Sequence, residues 1–399
     1  MKKPSVLPLM LASGLGAMSY GTIFTIVDDL RDRYGISPSR LGLIMGIGFF
    51  AGFVSNVFLA PYADRGHAKR MILIGVAVQL LGNTAFGFLH SFWPLFLSRG
   101  VMGIGGGMIY PAVRRIVIIR DPENMGANLG RMLSVDVGGF TFGPMLSAVT
   151  VDSLGIASPF VIISVLMVVM GIRIARMEVS EADVDGAPRQ RLAFDLFRSR
   201  AFSGTITIGA ALFVLIGTFD ALWSLMMKDM NAPSWVANVG ISLFAMPMLF
   251  LGPIGGRFTQ NVGPFKASIG GLTAGAFILT MYGVLPSPYP MLVFGVMHGI
   301  IDGLTVTGGS SAIAMIVPKT RIASAQGMQG ATQTVIGGVA SVVAGAAYGA
   351  YGRTTTFVSA AVIMIVCIAT GTWMVKDNIH MKGSDGLDPV NESAVEPML

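Results

Sequence analysis

The chain reads as an all-α membrane protein, with about twelve transmembrane helices in two pseudo-symmetric six-helix bundles. Three observations predict this. Of 399 residues, 53% are hydrophobic and only 12% are charged, against about 25% charged in soluble domains, so most of the surface cannot face water. The apolar residues stand in blocks of the roughly 20 residues that a helix needs to cross a bilayer. Short patterns also recur at nearly constant offsets in the two halves.

The first span, 7–27, follows Lys2-Lys3 and carries no small-residue cleavage site, so it reads as a retained helix rather than a signal peptide. Further spans are expected at 41–59, 71–89, 92–113, 129–150 and 157–172, then at 203–227, 236–256, 267–285, 289–317, 322–347 and 355–375. With the N-terminus inside, all but six of the 27 Lys and Arg residues fall on the inner loops and inner span ends. Arg31, Arg33, Arg40, Lys228 and Arg353 lie outside, and Arg99 lies within a span. Basic residues gather on the cytoplasmic side, so both termini are expected in the cytoplasm, with the chain in the plasma membrane, a bacterial inner membrane. The formal net charge of +6 then reports topology, and no nucleic-acid partner is expected. The lone Cys367 cannot form an intrachain disulfide.

The longest charged segment, 173–200, has 11 charged residues among its 28 and divides the spans into two sets of six. The expected organisation is an N-terminal bundle over 1–176, a cytoplasmic linker over 177–200, a C-terminal bundle over 201–376 and a disordered, acidic cytoplasmic tail over 377–399. Internal similarity supports the division. After the second span stands APYADRGHAKR (60–70), and 196 positions later stands GRFTQNVGPFK (256–266). The fourth span has RGVMGIGGGM (99–108), and the tenth has FGVMHGIIDGL (294–304).

Ionisable residues inside apolar spans are functional candidates by default. Asp136, Asp220 and Asp302 are the only three of the 21 acids in the spans, joined there by Arg99 and His298. Arg99, Asp220, His298 and Asp302 lie between the outer third and the midplane. His298 and Asp302 are four apart and share a helix face; an imidazole beside a carboxylate can load and release a proton. The pair reads equally well as a satisfied contact that holds the tenth helix to a neighbour. Asp136 reads as a proton or substrate group, or as an acid paired locally with a base such as Arg131. Asp220 is either a cavity acid or an acid that reaches water at a span end. Arg99 reads as positioning a neighbouring carbonyl or acid. Gln326, Gln329 and Gln333 form a polar stripe on the eleventh span, suited to substrate contact or to hydrogen bonds between helices.

These patterns resemble the major facilitator superfamily, and more narrowly its twelve-helix drug:proton antiporter branch. APYADRGHAKR is similar to the loop signature G-x-L-A-D-R-x-G-R-K-R, matched here by Ala63, Asp64, Arg65, Lys69 and Arg70, with Ala60 and His67 in place of the glycines. Arg99, Gly103 and Gly105 match the arginine-glycine motif of the fourth span. The antiporter signature of the fifth span, G-x8-G-x3-G-P-x2-G-G, is met by Gly130, Gly139, Gly143 and Pro144, with Ser147-Ala148 in place of the last pair. The resemblance implies two bundles that rock about a central site near the midplane, lined by the first, fourth, seventh and tenth spans. It implies a gating role for Asp64, Arg65, Lys69 and Arg70, and a seal against proton leak at the Gly-Pro contact. Asp136 lies seven residues, roughly 10 Å of helix, from Gly143.

An enzyme would show a metal-binding or nucleophile–base cluster, and a sensor would add a soluble signalling domain; neither is present in the sequence. The reading is a transporter: a proton-coupled exporter of small, moderately apolar neutral or cationic molecules. The alternative is a proton-coupled uptake symporter for a small metabolite on the same fold. No catalytic residue, metal or cofactor is expected. The expected partners are the substrate, protons and the lipid bilayer, with the chain acting as a monomer.

Overall fold

A computed structural model describes residues 6–179 and 192–387. The centre of the expected linker, 180–191, and the end of the expected tail, 388–399, lie outside the described residues. Each expected span is a helix. In order they are Leu7–Thr25, Pro38–Phe58, Ala68–Phe88, Phe92–Arg120, Met125–Leu154 and Ala157–Arg176. Then come Arg200–Asp229, Ser234–Val262, Pro264–Val284, a tenth span in two pieces (Pro288–Thr305 and Gly308–Ile316), and the helical run Ile322–Met374.

Local chemistry sets the boundaries. The first, second, ninth and tenth spans carry proline in their opening residues, where its missing N–H costs nothing and its fixed φ suits the helix. The run Ile322–Met374 is broken at Gly352, with φ 75° and ψ 178°. That backbone is open to glycine at little cost, and it separates the eleventh span (322–351) from the twelfth (353–374). The tenth span, expected to be continuous, breaks at Val306 and Thr307, where β-branched residues meet Gly308-Gly309 and helix propensity is poor. The fourth span runs seven residues beyond its expected end, so Arg114 and Arg115, expected on a loop, stand inside a helix.

The described residues form two compact units. One takes the described residues that fall within Met1–Arg120, Met132–Ala193 and Thr320–Ala331; the other takes those within Asp121–Arg131, Phe194–Lys319 and Thr332–Leu399. The first residues of the fifth span thus belong to the second unit, and the first residues of the eleventh belong to the first. In the first unit, Ile23, Ile44, Phe86, Leu95, Met102 and Phe160 build an apolar core. Beside it, Ser19 donates to Asn83 at 2.7 Å, and Asn83 donates to the Phe160 carbonyl and to Ser164, each at 2.8 Å. These bonds join the first, third and sixth spans through polar groups that a membrane leaves no other partner for. The second unit has a larger core around Leu215, Phe219, Trp223, Tyr282, Met291 and Phe357. Large apolar side chains such as Phe50, Leu81, Val149 and Val342 stay exposed, a surface suited to lipid and not to water.

Part of the tail expected to be disordered is packed. Residues 376–387 form turns, and Leu387 is buried at 2% exposure.

Candidate functional site

The loop after the second span supplies a buried, fully hydrogen-bonded charge in the first unit. Asp64 lies in the irregular helix Ala63–His67, which turns through Gly66 at φ 79°. Its carboxylate is buried and accepts four hydrogen bonds. Arg115 Nε donates at 2.9 Å, the Ala323 and Ser324 amides at 2.9 and 2.7 Å, and the Ser324 hydroxyl at 2.6 Å. The two amides open the eleventh span, so the acid sits at the positive end of a helix dipole. Arg115 is itself 1% exposed. Two buried charges are costly unless each neutralises the other and the remaining lone pairs are filled, and here the acid's lone pairs are filled.

The other loop residues divide. Lys69 Nζ donates to the carbonyls of Ala175 and Met177 at 2.9 and 2.5 Å, at the C-terminal end of the sixth span, where a cation complements the dipole. The Arg65 guanidinium lies 5.8 Å from the Tyr62 ring centre. Arg70 is exposed.

The fifth span's small residues face two different helices. A Cβ on Gly139 or Gly143 would run into the backbone of the first span, at Gly14 and at Met18. Thr22 Oγ1 also donates to the Gly143 carbonyl at 3.3 Å, and the Pro144 ring lies against Gly21. Gly130 instead meets the backbone of the eighth span at Gly252. Only a hydrogen fits where backbones approach this closely.

Asp136 is bonded across helices: Ser13 Oγ on the first span donates to it at 2.6 Å. Arg131, weighed as its partner, donates instead to Asn128 at 2.9 Å, one turn earlier. Arg99 is buried, its guanidinium 4.8 Å from the Tyr20 ring centre and packed against Gly48.

In the second unit, His298 is fully buried and Asp302 nearly so. Nε2 stands 3.5 Å from Asp302 Oδ2, too long for a good hydrogen bond. Three rings surround the imidazole. Phe244 is 4.8 Å away between centroids, and Phe219 and Tyr282 are each 6.2 Å away. Neither imidazole nitrogen nor the Tyr282 hydroxyl has a hydrogen-bond partner among the described residues. Asp220, beside Phe219 in sequence, is exposed. Gln326 and Gln329 are buried in the first unit, whereas Gln333 is half-buried in the second, near Gly209.

Comparisons with known proteins bear on this arrangement. The family model of the Major Facilitator Superfamily matches residues 9–237 and 201–396. The chain belongs to that superfamily. It is 24% identical over 289 residues to the Uncharacterized MFS-type transporter YuxJ of Bacillus subtilis (strain 168), covering 69% of this chain and 73% of that one. It is 21% identical over 307 residues to the Multidrug resistance protein MdtG of Dickeya zeae (strain Ech586), covering 72% and 75%. Among solved structures, the transporter FucP in its outward conformation shares the fold with a TM-score of 0.75, at 15% identity over 92% of this chain and 98% of that one. The chain is therefore a multi-pass membrane protein and a secondary transporter with the superfamily's twelve-helix fold. The drug:proton antiporter branch that the fifth span resembles is supported by the same relatives.

Sequence reasoning missed Arg115, which was counted as a loop charge, and Ser13, which carries no signal in an apolar helix. It also missed the rings around His298. Arg115 lies only two residues beyond the expected end of the fourth span, less than one helical turn.

Proposed function

We propose that this superfamily member exports small, moderately apolar neutral or cationic molecules in exchange for protons, by alternating access in a bacterial inner membrane. Both termini face the cytoplasm and the chain works as a monomer. The observation that carries the reading is His298, fully buried beside Asp302 among aromatic rings. Histidine is the side chain whose charge changes most readily near neutral pH. A proton arriving there makes an imidazolium that the Asp302 carboxylate and the nearby Phe244 ring stabilise. With no better partner for either nitrogen, a small movement of the tenth span changes what the proton gains. The pair titrates as one coupled unit, loading from one side of the membrane and discharging to the other.

Asp136 is the second candidate for the same role, favoured by its cross-helix bond to Ser13. Asp220 and Arg99 set the field along the path, and Gln326, Gln329 and Gln333 contact cargo or brace the eleventh span. Asp64, with Arg65, Lys69 and Arg70 around it, acts in gating, and the glycines and Pro144 of the fifth span act as a deformable seal. MdtG, by name a multidrug resistance protein, supports export over uptake.

The test is proton release from purified protein on addition of lipophilic cations, neutral drugs and organic acids. Wild type is expected to release protons on addition of cations or neutral drugs. His298→Ala and Asp302→Asn are expected to abolish the release, and Asp136→Asn to leave it measurable. Loss only at Asp136 moves the proton site to the fifth span. No release from wild type with any compound overturns the antiport reading in favour of metabolite uptake.

A further inference from the structure

Gln260 holds in the second half the place that Asp64 holds in the first, 196 positions on in the repeated loop. It is buried and uses both ends of its amide. Oε1 accepts from the Gly126 amide at 2.7 Å, and Nε2 donates to the Pro122 carbonyl at 2.8 Å and to the Gly383 carbonyl at 2.9 Å. Gly383 in turn donates its own amide to the Gln260 carbonyl at 2.8 Å. One side chain therefore bonds the opening of the fifth span and a segment more than 250 residues later in the chain. An ionised carboxylate in its place could accept from Gly126 but could donate to neither carbonyl.

The segment that Gln260 grips is anchored along its length. Val375 and Leu387 are buried at its two ends, and Ile379 and Met381 pack on the second unit's core. The Met381 carbonyl lies close over Gly263, where a Cβ would come within 2.9 Å of it. Gly386, at φ 76°, sits against the Met315 carbonyl with no room for a side chain. Asp385 accepts from the Lys382 amide at 2.9 Å and closes the turn.

We propose that residues 376–387 are a strap, clasped by Gln260, that holds the start of the fifth span, so that strap and helix start release together. Releasing either neighbour leaves buried polar atoms of Gln260 unsatisfied, which costs more than the bond itself contributes and loosens the side chain's hold on the other neighbour. This couples the tail to the movement of residues 122–131, whatever the cargo and whichever direction it travels.

The test uses the full-length protein in lipid nanodiscs. Two signals are read: trypsin cleavage after Lys382, and amide hydrogen exchange over residues 122–131. Gln260→Glu keeps the acceptor for Gly126 and loses both donors, so cleavage after Lys382 is expected to speed up about tenfold, the weight of one to two buried hydrogen bonds. Deleting residues 383–399 leaves Gln260 in place, and exchange over 122–131 is expected to rise about threefold to tenfold through easier local opening. Wild-type cleavage in Gln260→Glu overturns the clasp. Wild-type exchange in the deletion overturns the coupling, and this arm decides by itself if the Gln260 variant fails to fold.

Discussion

Asp64 and Gln260 stand at matching positions of a duplicated loop, and each bonds to the first amides of a long helix. Asp64 meets Ala323 and Ser324 of the eleventh span; Gln260 meets Gly126 of the fifth. The geometry is shared and the chemistry is not. A carboxylate only accepts, so Asp64 gathers donors and brings a buried arginine with it. An amide both accepts and donates, so Gln260 also reaches two carbonyls and recruits the tail. The duplicated unit thus keeps a helix-start contact while its two copies differ in what a broken contact leaves behind: a stranded charge in one, neutral groups in the other.

The sharpest way to break this comparison is Asp64→Leu. It leaves Arg115 buried without its counter-charge and the two amides without their acceptor. A loss of about 3–5 kcal/mol is expected, as for other buried pairs cut on one side, read as a lowered unfolding midpoint in detergent. Asp64→Leu with Arg115→Leu should recover much of that loss, because the stranded charge is gone. If the double variant is no better than the single one, the amides and not the arginine set the weight of this contact.

A smaller effect is expected at Gly126→Val. Gly126 and Gly256 face each other so closely that a Cβ on either would run into the other's backbone carbonyl. Forcing the fifth and eighth spans apart there should cost about 1–3 kcal/mol, the usual range for overpacking, and should raise hydrogen exchange over 122–131. An unaltered exchange pattern would mean that the side chain of Gln260 alone, and not the close backbone contact beneath it, holds the helix start.

How much of this was legible in the sequence follows from what each feature depends on. Span number and order are written in hydropathy and length, so every expected span is met by helix, although the fourth runs seven residues past its expected end and the tenth breaks in two. The glycines of the fifth span were legible as small residues at fixed spacing, but not that Gly130 faces the eighth span while Gly139 and Gly143 face the first; that division depends on the rotation of a neighbouring helix. His298 and Asp302 were legible as a pair because four-residue spacing is local. The rings around them come from the seventh, eighth and ninth spans, and no local pattern gathers those. Gln260 carried the clearest overlooked signal. Its offset from Asp64 is visible, but a neutral residue in a weaker copy of the loop carries no charge signal, and the packed tail that it grips reads as acidic, disordered sequence.

The smallest effect sharpens the comparison from the other side. Asp32 and Arg31 form an acid–arginine pair as short as that of Asp64, with Arg31 Nε donating at 2.7 Å, but both side chains are largely in water. The helix that carries them, Val27–Tyr34, lies between the first two spans and outside both. The hydrogen bond from Arg31 holds the Asp32 carboxyl below the usual carboxylate range. A depressed folded-state value stabilises the fold above the unfolded value and loses that contribution as pH falls through the folded one. In water, solvent screens the pair and the entropy cost of ordering two side chains opposes it, so little of this reaches stability. Asp32→Asn is therefore expected to leave the unfolding midpoint unchanged at neutral pH and its slope on the acid side indistinguishable from wild type. A fall comparable to that of Asp64→Leu would show that pairing alone, rather than burial with no alternative partner, separates the two acids.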